Sequence, residues 1–126
     1  MRVMLLGATG LVGGLALPML LDDPRCRAVV APTRRPLDWR DAKLHAPVLS
    51  FDAVPEAPDW AQVDAVICAL GSTMAQAGSR EAFYRIDHDY PLAFANVART
   101  QGARAFVLNS AAGANPRSAV FYSRVK

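Results

Sequence analysis

The sequence is 126 residues long, 52% of these residues are hydrophobic, and the formal net charge is +3. This length suits one domain with a buried core, and the apolar content excludes an intrinsically disordered chain. The 14 basic residues are dispersed, apart from the adjacent Arg34 and Arg35, so we expect no nucleic-acid partner.

The first segment of the chain has features of a signal peptide or a membrane span. Residues 3–21 carry no charge and follow Arg2, a pattern that both kinds of segment share. Several glycines and Pro18 interrupt this run and divide it into a strand, a turn and a helix. We therefore expect no membrane partner, but a buried strand over Arg2–Leu6 and a helix over residues 11–21.

Short apolar runs separated by helical segments continue along the chain. Further strands are predicted at about 27–31, 48–51, 64–71 and 104–109. A long helix is predicted over residues 81–100, with Gly102 ending it, and a last helix should begin near Ala119. The helix over residues 11–21 should pack on the strands through Leu11, Val12, Leu15, Met19 and Leu20. Apolar strands that alternate with helices indicate an α/β protein with a parallel sheet covered on both faces.

Cysteines and histidines are few in this chain. Cys26 and Cys68 are far apart and form no Cys-x-x-Cys pattern, which is typical of reduced, buried thiols. From these thiols we predict a cytoplasmic location. His45 and His88 are the only histidines and belong to no His/Cys cluster, so we expect no metal.

A glycine-rich segment, "GATGLVGG", follows the first strand and opens the first helix. Gly7 permits a tight turn, Gly10 lets the backbone approach a pyrophosphate, and Gly13 lets the helix pack closely on the strand. The helix N-terminus adds free N–H groups and a positive dipole end. The segment therefore predicts a dinucleotide site, and a loop used only for tight packing is the alternative.

The end of the second strand indicates which dinucleotide binds. An acidic residue there would bind the ribose hydroxyl of NAD, but this chain has Thr33, Arg34 and Arg35. Guanidinium groups suit a 2′-phosphate, which favours NADP(H) over NAD. The alternative is a solvated pair of basic surface residues.

Two more strand ends add candidates for the cofactor site. Asp52 closes the third strand, where its carboxylate either accepts a hydrogen bond from an adenine amino group or forms a turn. Ala69, Leu70 and Gly71 end the fourth strand, and small residues there would let a cofactor lie across its carboxyl end.

The segment "FYSRVK" places Tyr122 and Lys126 four residues apart, on one face of a helix. A lysine ammonium one turn away stabilises a phenolate, so such a pair can transfer protons at neutral pH. Ser110, at the end of the fifth strand, would hydrogen-bond a substrate carbonyl and orient it. The alternatives are a surface tyrosine and lysine, and a serine that satisfies a strand-end backbone group.

The glycine loop, "TRRP", "ALGST", "YRIDHDYPLAFANVARTQGARAFVLNSAAGA" and "FYSRVK" together resemble the atypical or extended short-chain dehydrogenase/reductases. The likeness is greatest to Tat-interacting-protein-like oxidoreductases and to bacterial relatives labelled nucleoside-diphosphate-sugar epimerases. It covers essentially the whole chain, and the series from "RIDHDY" to "FYSRVK" is more specific than the glycine loop.

This resemblance implies roles for individual residues. Ser110 matches the active-site serine, Tyr122 the catalytic tyrosine and Lys126 the lysine of Tyr-x-x-x-Lys. Arg34 and Arg35 match positions that bind the adenosine phosphate. Asp87 falls on a polar position of the long helix that we interpret as structural. The cofactor loop is matched by Gly7, Thr9, Gly10, Leu11, Val12 and Gly13.

The chain also departs from the family pattern. Ala111 stands where many relatives have a second serine. Family members continue well beyond Tyr-x-x-x-Lys, and that part supplies most of the substrate pocket. We therefore expect residues 1–126 to be an NAD(P)-binding domain that corresponds to the N-terminal portion of the family fold. Its expected architecture is a Rossmann-type, doubly wound parallel sheet of about five strands, in the order 3-2-1-4-5.

These observations predict an NADP(H)-dependent oxidoreductase of the short-chain dehydrogenase/reductase type, which transfers a hydride to or from a carbonyl or hydroxyl substrate. One alternative is a non-enzymatic, NADP(H)-binding regulatory or partner-binding protein. Another is a nucleotide-sugar epimerase or dehydratase. The expected partner is a small-molecule substrate, and a homodimer is a further expectation.

Overall fold

A five-stranded parallel sheet forms the centre of the protein in a computed structural model, which describes residues 1–71, 74–111 and 113–126. The strands stand in the order β3-β2-β1-β4-β5, and every pair of neighbours is parallel. The predicted α/β class and the strand order 3-2-1-4-5 are confirmed. The strands are β1 (Arg2–Leu6), β2 (Ala28–Val30), β3 (Leu44–His45), β4 (Ala65–Cys68) and β5 (Ala105–Leu108).

Helices connect the strands and follow the last one. The long helix predicted over residues 81–100 is present as two α-helical pieces joined by a π-helical turn, and Gly102 ends it with a φ of 104°. A short helix before these pieces was not predicted. None of the helices in the described parts of the chain is long and apolar enough to span a membrane. They are α1 (Leu11–Asp22), α2 (Met74–Ala77), α3 (Arg80–Tyr84), the π turn (Arg85–Asp89), α4 (Tyr90–Thr100) and α5 (Phe121–Val125).

The third strand lies earlier in the chain than predicted. β3 has two residues, whereas the predicted strand at 48–51 contributes only an isolated parallel bridge between Val48 and Thr33. Phe51 is buried instead, with its ring edge-on to those of Tyr90 at 5.6 Å and Phe94 at 4.9 Å. Within this run Phe51 therefore fills the core and Leu49 packs against it, whereas Val48 and Ser50 are exposed. The composition of residues 48–51 alone does not distinguish such a loop from a strand.

The packed face of α1 also differs from the prediction. Its buried residues are Gly13, Leu17 and Leu21. Because the helix is apolar on every side, the residue pattern could not single out one face. The residues predicted to pack but found exposed are Leu11, Val12, Leu15 and Met19.

The two faces of the sheet carry separate apolar clusters. On the α4 face, Met4 and Leu6 of β1 and Val66 and Cys68 of β4 pack with Phe94. On the α1 face, the alternate residues of β1 and β2 pack with Leu17 and Leu21. Both faces are covered along β1, β2 and β4, but all four residues of β5 are exposed, so the predicted cover of the sheet is incomplete at that strand. The carboxyl ends of the parallel strands and the loops that follow them remain open at one edge, where ligands bind in this architecture.

Candidate functional site

The glycine loop joins β1 to α1 through an abrupt turn. Gly7 has a φ of +83°, and a Cβ at this position would lie 2.6 Å from the carbonyl oxygen of Ala69. A Cβ at Gly13 would lie 1.9 Å from the carbonyl oxygen of Gly7, so the helix packs directly on the turn. Gly10 is the N-cap of α1 and has no side chain to occupy the free N–H groups of the first turn.

A cleft of about 420 Å³ opens beside this turn, at the carboxyl ends of β1, β2 and β4. Five of the predicted cofactor residues line it, and the Arg34 and Arg35 side chains are exposed at its wall. The cleft therefore joins the glycine loop and the arginine pair, which the sequence separates. Its lining is formed by Gly7, Ala8, Thr9, Pro32, Thr33, Arg34, Arg35, Pro36, Phe51 and Leu70.

The other predicted cofactor residues lie outside this lining. Leu11 and Val12 project from the first turn of α1 into solvent. The Ala69 backbone contacts the glycine turn, and Gly71 lies beside Lys126, where a Cβ would stand 2.8 Å from the lysine Nζ. Ser72, which follows in the sequence, lies outside the described residues. Asp52 follows Phe51 at the cleft wall, and Gly10 and Gly13 shape the turn without lining the cleft.

Thr33 has a feature that the sequence did not reveal. Thr33 is only 5% exposed, and its buried hydroxyl oxygen has no hydrogen-bond partner among the residues that the structure describes. Thr33 lines the cleft, and its backbone N–H and carbonyl bond to Pro47 and Leu49. A buried hydroxyl without a partner is costly, so a ligand that reached this wall would offer it one.

The Asp52 carboxylate is held by the side chain of Tyr90, the first residue of α4. The Tyr90 hydroxyl donates a hydrogen bond of 3.0 Å to the Asp52 carboxylate, and the Arg85 guanidinium lies 3.7 Å from the same oxygen. Burial raises the pKa of the Tyr90 phenol, and the hydrogen bond to Asp52 raises it further. Tyr90 therefore orients the carboxylate beside the cleft, a role that the sequence did not reveal because Tyr90 and Asp52 are 38 residues apart in the chain.

We expect Tyr90→Phe to lower the free energy of unfolding at pH 7 by about 1 kcal/mol, because one hydrogen bond is lost. The folded-state pKa of Tyr90 lies above the unfolded value of about 10. The stability from its neutral phenol is therefore complete below about pH 10 and is lost as the pH rises through the folded pKa. Urea denaturation at pH 7 and above pH 10 measures both effects. An equal alkaline loss in the wild type and the variant would contradict this assignment.

Ser110, Tyr122 and Lys126 lie together where β5 ends and α5 begins. The Ser110 hydroxyl donates a hydrogen bond of 2.9 Å to the main-chain carbonyl oxygen of Lys126. The Lys126 ammonium lies 5.3 Å from the centre of the Tyr122 ring. The structure thus brings the three predicted catalytic residues into one cluster, in which the serine contacts the lysine backbone and the lysine faces the tyrosine ring.

The Lys126 ammonium forms an ion pair with the Asp87 carboxylate, from the π turn. The side chains are 10% and 1% exposed, so both charges are largely withdrawn from water. The sequence reading took Asp87 as structural and had no signal for this pairing, because the two residues are far apart in the chain.

Both cysteines are free, buried thiols, as predicted. Burial raises the pKa of the Cys68 thiol, which therefore stays protonated at neutral pH. Cys68 ends β4 and packs with Phe94 in the core, so its role is that of a small apolar residue.

A model of the NAD dependent epimerase/dehydratase family matches residues 3–121. The chain belongs to this family. The resemblance drawn from the sequence is thereby confirmed, and the NAD dependence of this family supports a pyridine nucleotide as the cofactor.

Curated relatives that the chain resembles include a fungal and a mammalian protein. Protein fmp52, mitochondrial, of Emericella nidulans is 34% identical over 132 residues, which cover 99% of this chain and 57% of the relative. Protein HTATIP2 of Rattus norvegicus is 33% identical over 128 residues, covering 98% of this chain and 52% of the relative. The chain thus spans little more than half the length of the curated relatives that it matches.

Solved structures show the same fold at low sequence identity. Uronate dehydrogenase from Agrobacterium tumefaciens, a Y136A mutant complexed with NAD, has a TM-score of 0.70 and 15% identity, covering 90% of this chain and 42% of that one. MoeE5 in complex with UDP-glucose and NAD has a TM-score of 0.74 and 18% identity, covering 90% of this chain and 38% of the MoeE5 chain. At this identity the likeness establishes the fold alone.

The predicted cytoplasmic location is wrong on this evidence. Fmp52 proteins from several fungi are named mitochondrial, including those of Emericella nidulans, Candida albicans and Saccharomyces cerevisiae. The prediction rested on two free cysteines, and free thiols indicate reducing surroundings without naming the compartment.

Proposed function

We propose that this chain is the nucleotide-binding part of an NADP(H)-dependent oxidoreductase that reduces a carbonyl or oxidises a hydroxyl group. One observation carries the proposal. The cleft and the Ser110, Tyr122 and Lys126 cluster lie at the same edge of the sheet, connected by the end of β4. Leu70 lines the cleft, and Gly71, the next residue, adjoins Lys126.

The residues present fit a 2′-phosphorylated dinucleotide. The glycine turn leaves the N-terminus of α1 open for a pyrophosphate, because Gly10 places no side chain there. The guanidinium groups of Arg34 and Arg35 at the cleft wall suit the 2′-phosphate, and Thr33, the preceding residue, lines the same cleft. Bound NADP(H) supplies or accepts the hydride.

The protein itself supplies position and a proton. Ser110 would hydrogen-bond the oxygen of the reacting carbonyl, and Tyr122 would exchange a proton with that oxygen. The Lys126 ammonium faces the Tyr122 ring and would hold the ribose next to the nicotinamide. A hydroxyl, a phenol and an ammonium at one strand end form a suitable set for carbonyl chemistry.

Nucleotide-binding measurements on variants of Arg34 and Arg35 test this proposal. We expect Arg34→Ala and Arg35→Ala each to raise the dissociation constant for NADPH by about tenfold or more, since each removes a charged hydrogen-bond donor to phosphate. The dissociation constant for NADH should change by less than about twofold, because NADH lacks that phosphate. Isothermal titration calorimetry at two salt concentrations measures both values.

Arg40→Ala is the matched control, since Arg40 is an exposed arginine of the same segment that does not line the cleft. If Arg34→Ala and Arg35→Ala leave the dissociation constant for NADPH unchanged, the proposed preference for NADP(H) is contradicted. If the wild type binds neither NADPH nor NADH, the proposal of an oxidoreductase is contradicted. NADPH binding without turnover of any carbonyl compound would favour the regulatory alternative.

A nucleotide-sugar epimerase or dehydratase is the second candidate. It is favoured by the family to which the chain belongs and by the fold shared with MoeE5, solved with UDP-glucose and NAD. Such an enzyme regenerates its nucleotide within each cycle. A nucleotide that stays bound through purification, together with conversion of a UDP-sugar without net oxidation, would support this candidate over the first.

A further inference from the structure

We propose that Arg85 determines nucleotide specificity by neutralising the Asp52 carboxylate, so that a 2′-phosphate can bind at the neighbouring Arg34. This inference rests on the proposed function, in which the arginine pair at the cleft wall holds that phosphate. Arg85 is the first residue of the π turn, and its Nε lies 3.7 Å from the Asp52 Oδ1. The cleft is not lined by Arg85 itself, which therefore acts on the nucleotide through Asp52, as a positioning residue.

Two neighbouring segments bring Asp52 and Arg34 to the same end of the cleft. The Leu49 N–H donates a hydrogen bond of 2.9 Å to the carbonyl oxygen of Thr33, so the segment after β2 runs beside the one after β3. Arg34 follows Thr33 directly and lines the cleft, as does Phe51, the residue before Asp52. A phosphate bound by Arg34 would therefore stand near the Asp52 carboxylate.

The Tyr90 hydroxyl is a second sign that these charges are grouped. It donates a hydrogen bond of 3.0 Å to the Asp52 Oδ1, the oxygen that also faces Arg85. Burial raises the pKa of the Tyr90 phenol and the bond to Asp52 raises it further, whereas the positive charges of Arg85 and Arg34 oppose both effects. One carboxylate and two guanidinium groups thus act on a single hydroxyl.

The charge of Asp52 is unfavourable for a phosphorylated nucleotide. A phosphate monoester carries about two negative charges at neutral pH, and a carboxylate nearby repels it. Arg85 offsets that charge, so Arg34 and Arg35 remain available to the phosphate. NADH has no 2′-phosphate, so the compensation matters for NADPH alone.

The Asp52–Arg85 pair itself contributes little to the stability of the fold. The two side chains are 61% and 51% exposed, and ion pairs so open to solvent are weak. Variants of Arg85 are therefore expected to fold, and a change in their nucleotide affinity reports on the site.

Calorimetry with NADPH and NADH tests the proposal. We expect Arg85→Ala to raise the dissociation constant for NADPH by about five- to tenfold at low salt and that for NADH by less than about twofold. The loss should shrink as the salt concentration rises, because salt screens the exposed carboxylate. Arg85→Lys, which keeps the charge, should retain most of the affinity. Arg99→Ala, which removes an exposed arginine near the end of α4, is the matched control and should leave NADPH affinity unchanged.

A double-mutant cycle with Asp52→Asn tests whether Arg85 acts through Asp52. Asparagine has no charge to neutralise, so in this background Arg85→Ala should change the dissociation constant for NADPH by less than about twofold. If Arg85→Ala weakens NADPH binding equally in both backgrounds, Arg85 contacts the phosphate directly and the proposal is overturned.

The remaining outcomes separate this inference from the proposed function. If the wild type binds neither nucleotide, the proposed function fails and this inference fails with it. If the wild type binds NADPH and Arg85→Ala binds it equally well, the inference alone is overturned. An equal loss of NADPH and NADH affinity in Arg85→Ala would indicate a general disturbance of the site and would overturn it too.

Discussion

Gly13→Ala is expected to destabilise the protein by about 3 kcal/mol or more and to abolish NADPH binding. The added methyl group would stand 1.9 Å from the carbonyl oxygen of Gly7 and 2.6 Å from its carbonyl carbon. Both atoms belong to the backbone of the turn, so no side-chain rotation relieves the overlap. α1 must move away from β1, which disrupts the phosphate site and the core cluster behind it. Urea denaturation and calorimetry with NADPH measure the two losses.

Gly14→Ala is a closely matched control for this substitution. It adds the same methyl group to the next residue of the same helix, where the nearest atom, the carbonyl oxygen of Ala8, is at an ordinary 3.7 Å. Because alanine favours a helix more than glycine does, we expect this variant to gain about 0.5–1 kcal/mol. A loss of stability in Gly14→Ala as large as in Gly13→Ala would show that the contact at Gly13 is not the cause.

Tyr122→Phe is expected to reduce turnover by about 10²- to 10⁴-fold, the usual range for loss of a positioned general acid or base. The phenylalanine ring keeps the contact that Tyr122 makes with Phe83, whose ring centre is 5.4 Å away. The NADPH dissociation constant should therefore stay within about twofold of the wild type, because only the proton-transferring hydroxyl is removed. Oxidation of NADPH in the presence of a panel of aldehydes, ketones and quinones, followed at 340 nm, measures the turnover.

The control for this variant is Tyr84→Phe. Tyr84 is a half-exposed tyrosine that stacks on His88 and belongs to a different helix. Its substitution should leave turnover unchanged. Full activity in Tyr122→Phe would remove Tyr122 from the proton transfer, and an equal loss in both variants would indicate a general effect on the protein.

Much of the fold could be predicted because local residue patterns specify it. Runs of apolar residues without polar alternation predicted the parallel strands, and the glycine spacing predicted the turn between β1 and α1. The pattern did not distinguish a strand from a buried loop at residues 48–51, because both need apolar residues there. Nor did it reveal which side of α1 is buried, since the contact at Gly13 depends on a turn several residues away.

The candidate site, like the fold, could be predicted within short segments but not between distant ones. The residues of the glycine loop, the arginine pair and Tyr122 with Lys126 were evident from spacing within short segments. Interactions between distant segments were not. Tyr90 reaches Asp52 and Asp87 reaches Lys126 only because the fold places the π turn and α4 beside the loop after β3 and beside the end of α5. The unpartnered hydroxyl of Thr33 likewise results from burial, which no local pattern specifies.

The strand order has a consequence for how the chain folds. β1 is the first strand in the sequence, yet its register pairs Val3 with Ala65 on one side and with Val29 on the other. The centre of the sheet therefore forms only after a long intervening segment has been brought back on itself, at a large loss of chain entropy. Contacts of such high sequence separation slow folding, so we expect refolding on a scale of about milliseconds to seconds, and not microseconds. Until β4 docks, the backbone groups along one edge of β1 are unpaired and can bind other chains, so aggregation should compete with folding at that stage.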